Sequence, residues 1–183
     1  MTISREEALA VRANADLLCT SEQVNAALAD LAGRISREYA DKQPIILCVM
    51  TGALIPAGQL LPLLDFPLEI DYCHATRYGA NTSGGKLHWI REPALTLRGR
   101  HVLVFDDILD EGVTLAAILQ YCQHAGAESV GCAVLVEKSH QRKAEGIHAD
   151  YIGLTVDDRY VFGAGMDYKG CWRNLSGIYA LGE

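Results

Sequence analysis

One stretch limits the fold of this chain more than any other: HVLVFDDILDEGVTLAAILQ, residues 101–120. Its start, VLVF, is short and continuously apolar, which is how a strand covered on both faces reads. Asp106, Asp107, Asp110 and Glu111 follow, and then Gly112 and Thr114 open a helix. In that helix Leu115, Ile118, Leu119 and Cys122 share one face before Gly126 stops it. A buried strand, an acidic turn and an amphipathic helix in that order form half of a βαβ unit. Such units build parallel sheets.

The rest of the chain repeats the alternation. IILCVM after Pro44 and SVGCAVLV at 129–136 are further buried strands, and TGALIPAG turns the chain into a helix to about Leu64. LEIDYCHATRY alternates loosely as a strand, and GANTSGGK after it reads as a mobile loop or hairpin tip, a candidate lid. ADYIGLTV, RYVFG and SGIYAL close the chain as short strands. At the other end, SREEALAVRANADLL and TSEQVNAALADLAGRISREYA are helices, with Ser4 and Glu7, then Thr20 and Gln23, at capping-box spacing. The second carries Val24, Ala27, Leu28, Leu31 and Ile35 as an apolar stripe. The fold expected is α/β: a mostly parallel twisted sheet flanked by helices, with a small cap, or hood, from the terminal segments. We expect one domain over residues 1–183, with a core roughly at 40–157 and a hood from the N-terminal helices and 158–183.

Composition narrows the partners. Half of the residues are hydrophobic and 21% are charged, so the chain buries enough apolar surface to fold. A net charge of -7 with no basic stripe excludes a general nucleic-acid surface. The six cysteines form no C-x-x-C pair and mostly sit in apolar runs, as buried thiols of a reducing compartment do. The histidines show no zinc-ligand spacing, and no apolar run is long enough for a membrane span. A cytoplasmic protein with no membrane association is the expectation.

The acidic turn has its own chemistry. Ligands of open α/β sheets gather beyond the carboxyl ends of strands, where a helix N-terminus offers free N–H groups and the positive end of its dipole. Gly112 lets backbone approach there and Thr114 adds a hydroxyl, so residues 110–114 suit one phosphate. Asp106 and Asp107 would repel a polyphosphate laid across them and call instead for hydroxyls or a metal. A ribose 5-phosphate with Mg²⁺ satisfies both halves. No Walker A loop occurs, and the D-x-D of one large phosphatase class is absent because Asp107 and Asp110 are three apart.

VLVFDDILDEGVTL resembles the 5-phosphoribosyl-1-pyrophosphate (PRPP) motif of the type I phosphoribosyltransferases. LVEKSHQR, DDRYVFGAGMDYKGCWRNL, VMTGA and TRYGA extend the resemblance to the hypoxanthine-guanine, or 6-oxopurine, branch. The resemblance implies transfer of the phosphoribosyl group from PRPP to hypoxanthine or guanine, with Mg²⁺ as cofactor and a homodimer or homotetramer as the assembly. Position by position, it implies that Asp106 and Asp107 hold the ribose hydroxyls directly or through Mg²⁺. Asp110 is the implied general base facing N7 of the purine. Asp110, Glu111, Gly112, Val113 and Thr114 are the implied 5′-phosphate turn. Lys138 is implied to donate to the 6-oxo group, Tyr160 to stack on the base, and Val161 to meet its edge through the backbone. Asp167 is the implied ligand of a second Mg²⁺ on the base side, and Thr51, Gly52 and Arg173 receive pyrophosphate. A non-proline cis peptide is implied at Met50–Thr51, and Arg77 and Tyr78 begin the implied lid.

Three positions depart from the family pattern. Glu111 stands where Thr or Ser is common, Thr51 where many members have Lys or Arg, and Arg77 where Ser precedes the tyrosine. Each residue also has an ordinary reading. The aspartates at 106 and 107 can be turn residues, Lys138 a solvated strand end, Asp167 and Arg173 a surface ion pair, and Tyr160 a core aromatic. Order and spacing around DDILDEGVT favour the functional reading. A PRPP-binding regulator with this fold and no turnover stays open as the alternative.

Overall fold

The computed structural model describes residues 3–77 and 87–182. Both N-terminal helices, α1 (Arg5–Ala13) and α2 (Ser21–Tyr39), begin at their expected caps. Ser4 Oγ accepts from the Glu7 N–H at 3.0 Å, and Thr20 and Gln23 exchange side-chain-to-backbone hydrogen bonds as a capping box. The first helix is shorter than its sequence pattern predicts. It ends at Asn14, and Asp16–Cys19 form a strand, β1. The partner of β1 lies near the other end of the chain, so nothing local marks it as a strand.

The main sheet is made of β2 (Ile45–Met50), β3 (Glu69–Arg77), β4 (Leu87–Arg91), β5 (His101–Leu109), β6 (Ser129–Ser139) and β7 (Tyr151–Asp157). Its order is β4-β3-β2-β5-β6-β7, parallel throughout except for the antiparallel edge strand β4. Between β2 and β3 run α3 (Leu54–Leu60) and a 3₁₀ turn (Leu61–Leu63); α4 (Val113–His124) links β5 to β6. Side chains alternate along β5. Leu103 and Phe105 enter the layer shared with α2 and α3, and Val102 and Val104 enter the layer under α4. Both layers are dry, and each large apolar side chain fully buried there contributes about 1.5–3 kcal/mol. Buried Asp71 pins the return to β5 by accepting from the N–H groups of Ala94 and Leu95 at 2.7 and 2.8 Å.

Asp106 and Asp107 lie within β5 rather than beyond it, while Asp110 and Glu111 follow its end. Pairing with β6 continues through Asp106, Ile108 and Leu109, so β5 carries the acidic pair to its last turn. Because β3 lies on one side of β2 and β5 on the other, the chain reverses direction of growth at β2/β5. The carboxyl ends of these two strands therefore leave a crevice.

A second sheet closes over that crevice. It pairs β1 with β9 (Ile178–Ala180) and β9 with β8 (Val161–Phe162), all antiparallel. Phe162 stacks on Tyr179, and Arg159 binds both the Asp16 carboxylate and the Leu181 carbonyl. Of the two N-terminal helices placed in the cap from sequence, α1 borders it, with Trp172 Nε1 donating to the Ala8 carbonyl at 2.8 Å. The other, α2, instead packs along the main sheet through Val24, Leu28, Leu31 and Ile35.

Candidate active site

A cavity of about 410 Å³ lies at the carboxyl ends of β2, β5 and β6 under the cap. Thr51, Gly52, Asp106, Asp107, Asp110 and Thr114 line its sheet side. Lys138, Tyr160, Val161, Asp167 and Arg173 line the rest. A hollow of about 220 Å³ adjoins it, walled by Asp110, Glu111, Gly112, Val113 and Thr114. Residues separated by up to 122 positions in the chain (51 to 173) thus share one space. Arg77 ends β3 opposite Leu87. Tyr78 and the GANTSGGK segment lie outside the described residues.

Backbone builds the hollow. Gly112 has φ 75° at the N-cap of α4, a conformation that favours glycine, and no side chain caps the helix. A Cβ there would come to 2.6 Å from Leu109 Cδ1 and 2.9 Å from Ile147 Cγ1. The free N–H groups of the first turn of α4 consequently open to the hollow. Glu111 is exposed, and its carbonyl accepts from the Ala144 N–H at 2.7 Å. The carboxylate that stands where the family has Thr or Ser has solvent to turn to.

The loop after β2 is equally tight. The Met50–Thr51 peptide is cis. At Gly52 a Cβ would fall inside contact distance of all three terminal atoms of the Asp107 carboxylate, and one at Gly165 would strike the Gly52 carbonyl. Backbone of the loop is pressed between the acidic pair and the cap.

Asp106 and Asp107 carry the site's unbalanced charge. Asp106 Oδ1 accepts from the Asp107 N–H at 2.9 Å. Burial, and then the neighbouring charge of Asp107, push the Asp106 carboxyl well above the usual range. Burial raises Asp107 as well, partly offset by hydrogen bonding to Asp106 and by Arg173, whose Nη1 is 3.7 Å away. The carboxyl of buried Asp107 and that of partly buried Asp106, beside one guanidinium, form a hard-oxygen donor set that fits a divalent cation such as Mg²⁺ or a pair of sugar hydroxyls.

On the cap side, Asp167 and Arg173 do form an ion pair, Oδ1 to Nη2 at 2.5 Å, but inside the cavity rather than on an outer surface. Arg173 Nη1 also donates to the Gly165 carbonyl at 2.7 Å, and Asp167 Oδ2 accepts from Gly170 N–H at 2.6 Å. Both side chains are held by backbone. Tyr160 is 48% exposed, not a core aromatic, and its hydroxyl donates to the Asp167 carbonyl at 3.2 Å.

Between these halves stands Asp110. Lys138 Nζ donates to its Oδ2 at 2.6 Å and His140 Nε2 lies 2.7 Å from its Oδ1. Burial acts to raise the Asp110 carboxyl, but the hydrogen bonds from Lys138 and His140 outweigh it and hold the group below the usual carboxylate range. Lys138 is nearly buried, so it is not a solvated strand end. Beyond them Arg142 clamps Asp158 through both guanidinium nitrogens. Asp110, His140 and Asp158 bring three potential ligand atoms within 4.8 Å. Their oxygens are already taken by Lys138 and Arg142, so the cluster suits hydrogen bonding rather than a metal. His140 and Arg142 fall within LVEKSHQR and Asp158 within DDRYVFGAGMDYKGCWRNL, but the resemblance implies no role for any of the three.

A family model for the phosphoribosyl transferase domain matches residues 18–169. The hypoxanthine-guanine-xanthine phosphoribosyltransferase of Tritrichomonas foetus is 35% identical over 167 residues, covering 91% of each chain. The hypoxanthine-guanine phosphoribosyltransferase of Bacillus subtilis is 32% identical over 166 residues, covering 90% of this chain and 92% of the relative. Among solved structures, a hypoxanthine-guanine-xanthine phosphoribosyltransferase superposes with a TM-score of 0.83 at 33% identity, covering 92% of this chain and 97% of that one. A hypoxanthine phosphoribosyltransferase from Staphylococcus aureus gives 0.88 at 28% identity, with 94% of each chain covered. On a family model that spans most of the chain and relatives above 30% identity along nearly their whole length, the chain belongs to the phosphoribosyltransferases, on their hypoxanthine-guanine branch.

Proposed function

We propose that this protein transfers the 5-phosphoribosyl group of PRPP to hypoxanthine or guanine, forming the nucleoside 5′-monophosphate and pyrophosphate in purine salvage. One observation carries the reading: Lys138 and Asp110 stand 2.6 Å apart as a donor beside an acceptor. On a 6-oxopurine the O6 acceptor and the N7 position are neighbours on one edge. A base entering between the two side chains gives Lys138 an oxygen to donate to and frees Oδ2 of Asp110 to receive the N7 proton. A 6-amino group would face Lys138 donor to donor, which excludes adenine.

The other roles follow from position. Tyr160 offers its exposed ring as a stacking platform, and Val161 offers backbone to the base edge. The turn from Asp110 to Thr114 receives the 5′-phosphate through N–H groups and the Thr114 hydroxyl. Asp106 and Asp107 take the ribose hydroxyls and, with Asp167 on the far side of Arg173, are the residues to hold Mg²⁺. When bound, the cation supplies positive charge to the leaving pyrophosphate. Arg173 and the Thr51–Gly52 backbone add donors to the same group, so negative charge is met where it develops. Arg77 and Tyr78 would begin a lid that keeps water from the reactive sugar. We assign the activity to one domain over residues 1–183, working as a homodimer or homotetramer in the cytoplasm. Among the described residues, no helix is long and apolar enough to cross a membrane.

The test is an assay with PRPP, Mg²⁺ and, in turn, hypoxanthine, guanine, xanthine and adenine. Pyrophosphate release with hypoxanthine or guanine is expected. Release with none of the four would end the transfer reading, and adenine as best substrate would remove Lys138 from its role.

A further inference from the structure

His140 sits beside Asp110 with its side chain only 4% exposed, within the LVEKSHQR segment, for which the resemblance implies a role only at Lys138. Its two ring nitrogens have different partners. Nδ1 accepts from the Arg142 N–H at 3.0 Å, which requires a lone pair on Nδ1 and so places the proton on Nε2. Nε2, 2.7 Å from Asp110 Oδ1, is therefore the donor of that bond. The backbone that fixes the tautomer is itself fixed. Arg142 is clamped on Asp158, Lys143 Nζ donates to the Lys138 carbonyl at 2.7 Å, and the Ala144 N–H donates to the Glu111 carbonyl at 2.7 Å. The loop is tied to the phosphate turn at one side and to the end of β6 at the other.

We propose that His140 is a positioning residue for Asp110, holding the carboxylate by Oδ1 when Lys138 leaves Oδ2 for the base. The proposal rests on Asp110 being the group that faces N7. In the free protein Asp110 faces Lys138 at one oxygen, and His140 with Arg142, at 3.9 Å, at the other. Once Lys138 has turned to the 6-oxo group, Oδ1 keeps its hydrogen bond to His140 and Oδ2 is left open. A carboxylate held by one oxygen presents the other at a set angle. An N–H donor that brings no full charge also leaves that oxygen more basic than an ammonium would, which suits a group that must accept a proton.

His140→Leu and His140→Gln, compared with the wild type, separate positioning from packing, because Gln keeps an N–H donor. The measurements are kcat and KM for PRPP and base, the acid limb of kcat/KM, and the ¹³C titration of the Asp110 carboxyl in the free protein. His140→Leu should lower kcat roughly tenfold, as loss of one hydrogen bond to a charged group does, with KM for PRPP unchanged. Removing a donor from the carboxylate raises its pKa, so the acid limb and the carboxyl titration should both move up by about one pH unit. His140→Gln should recover most of kcat and return the limb. A Leu variant with wild-type kcat and an unmoved limb would overturn the proposal, as would a folded Gln variant no better than Leu. If the wild type makes no nucleotide from any base, the transfer reading fails. The carboxyl titration then decides the His140–Asp110 contact alone, and no change with Leu would refute it.

Discussion

The two ends of the cavity are built from different material. At the end proposed for phosphate and pyrophosphate the lining is backbone: the Gly52 loop against Asp107, the Gly112 N-cap, and the open first turn of α4. At the end proposed for the base it is side chain: Lys138, Asp110 and His140 in one row, Tyr160 and the Asp167–Arg173 pair in the other. Backbone N–H groups recognise a phosphate without net charge and cannot be exchanged for another chemistry. Side chains can be. Glycine is favoured at the first end because a Cβ at Gly52 would meet the Asp107 carboxylate and one at Gly112 would meet Leu109 and Ile147, whereas the second end can be retuned one residue at a time. A fold that keeps PRPP and varies its base would place its constraints in this way.

Gly52→Ala should break the phosphate end most severely. Its Cβ would overlap the Asp107 carboxylate, so loop or acid must shift by the order of an ångström, and turnover should fall about a hundredfold with the fold retained. Steady-state kinetics beside a thermal melt would check this, and a fully active alanine variant would show that the loop has slack. Lys138→Gln attacks the base end. KM for hypoxanthine should rise about thirtyfold through loss of the charged donor to the base and of the ion pair with Asp110, while the dissociation constant of PRPP stays put. Equal weakening of both ligands would mean that the ends are not independent.

Gly112→Ala should cost less than either. Left-handed backbone with a Cβ is strained by about 1–2 kcal/mol, and Leu109 and Ile147 must yield, so PRPP affinity should drop roughly tenfold with base affinity intact. Isothermal titration with each ligand would measure it. The smallest effect runs in the opposite direction. Asp106→Asn relieves the repulsion and desolvation that raise the Asp106 carboxyl beside Asp107, so the free protein should melt about 2–4 °C higher while losing PRPP affinity. A lower melting temperature would show that the acidic pair is not under electrostatic stress.

The same division decides what can be read from sequence. The acidic pair and the proposed 5′-phosphate turn lie within a few consecutive residues, from Asp106 to Thr114, so strand period, acid spacing and the G-x-T turn make them readable as a unit. The Gly52 loop lies elsewhere, and Lys138, with Tyr160 and Asp167, comes from two further segments that only the family resemblance draws to one place. Nothing local predicts His140, because its significance is a hydrogen bond across 30 positions to Asp110. The boundary of α1 was misjudged for a related reason. Ala10 to Leu18 continue a helical pattern, and only pairing of Asp16 with Ala180 and of Leu17 with Tyr179 makes the segment a strand. The acidic pair was placed just past β5 because charge normally ends a buried strand, yet here the ladder with β6 carries it on through Leu109.

The cap sheet joins residues 16–19 to residues 178–180, so its first strand has no partner until nearly the whole described chain has been synthesised. The parallel sheet, with its acidic pair and phosphate turn, can form earlier, because its last strand ends at Asp157. On the ribosome there should therefore be an interval in which the sugar-phosphate cradle exists without Tyr160, Asp167 or Arg173 above it. Non-local pairing of this kind forms late. A nascent chain would hold Lys138 and Asp110 at the end of the sheet with no aromatic platform or cap above them, and completion of the last strand would close the space in which a base is held.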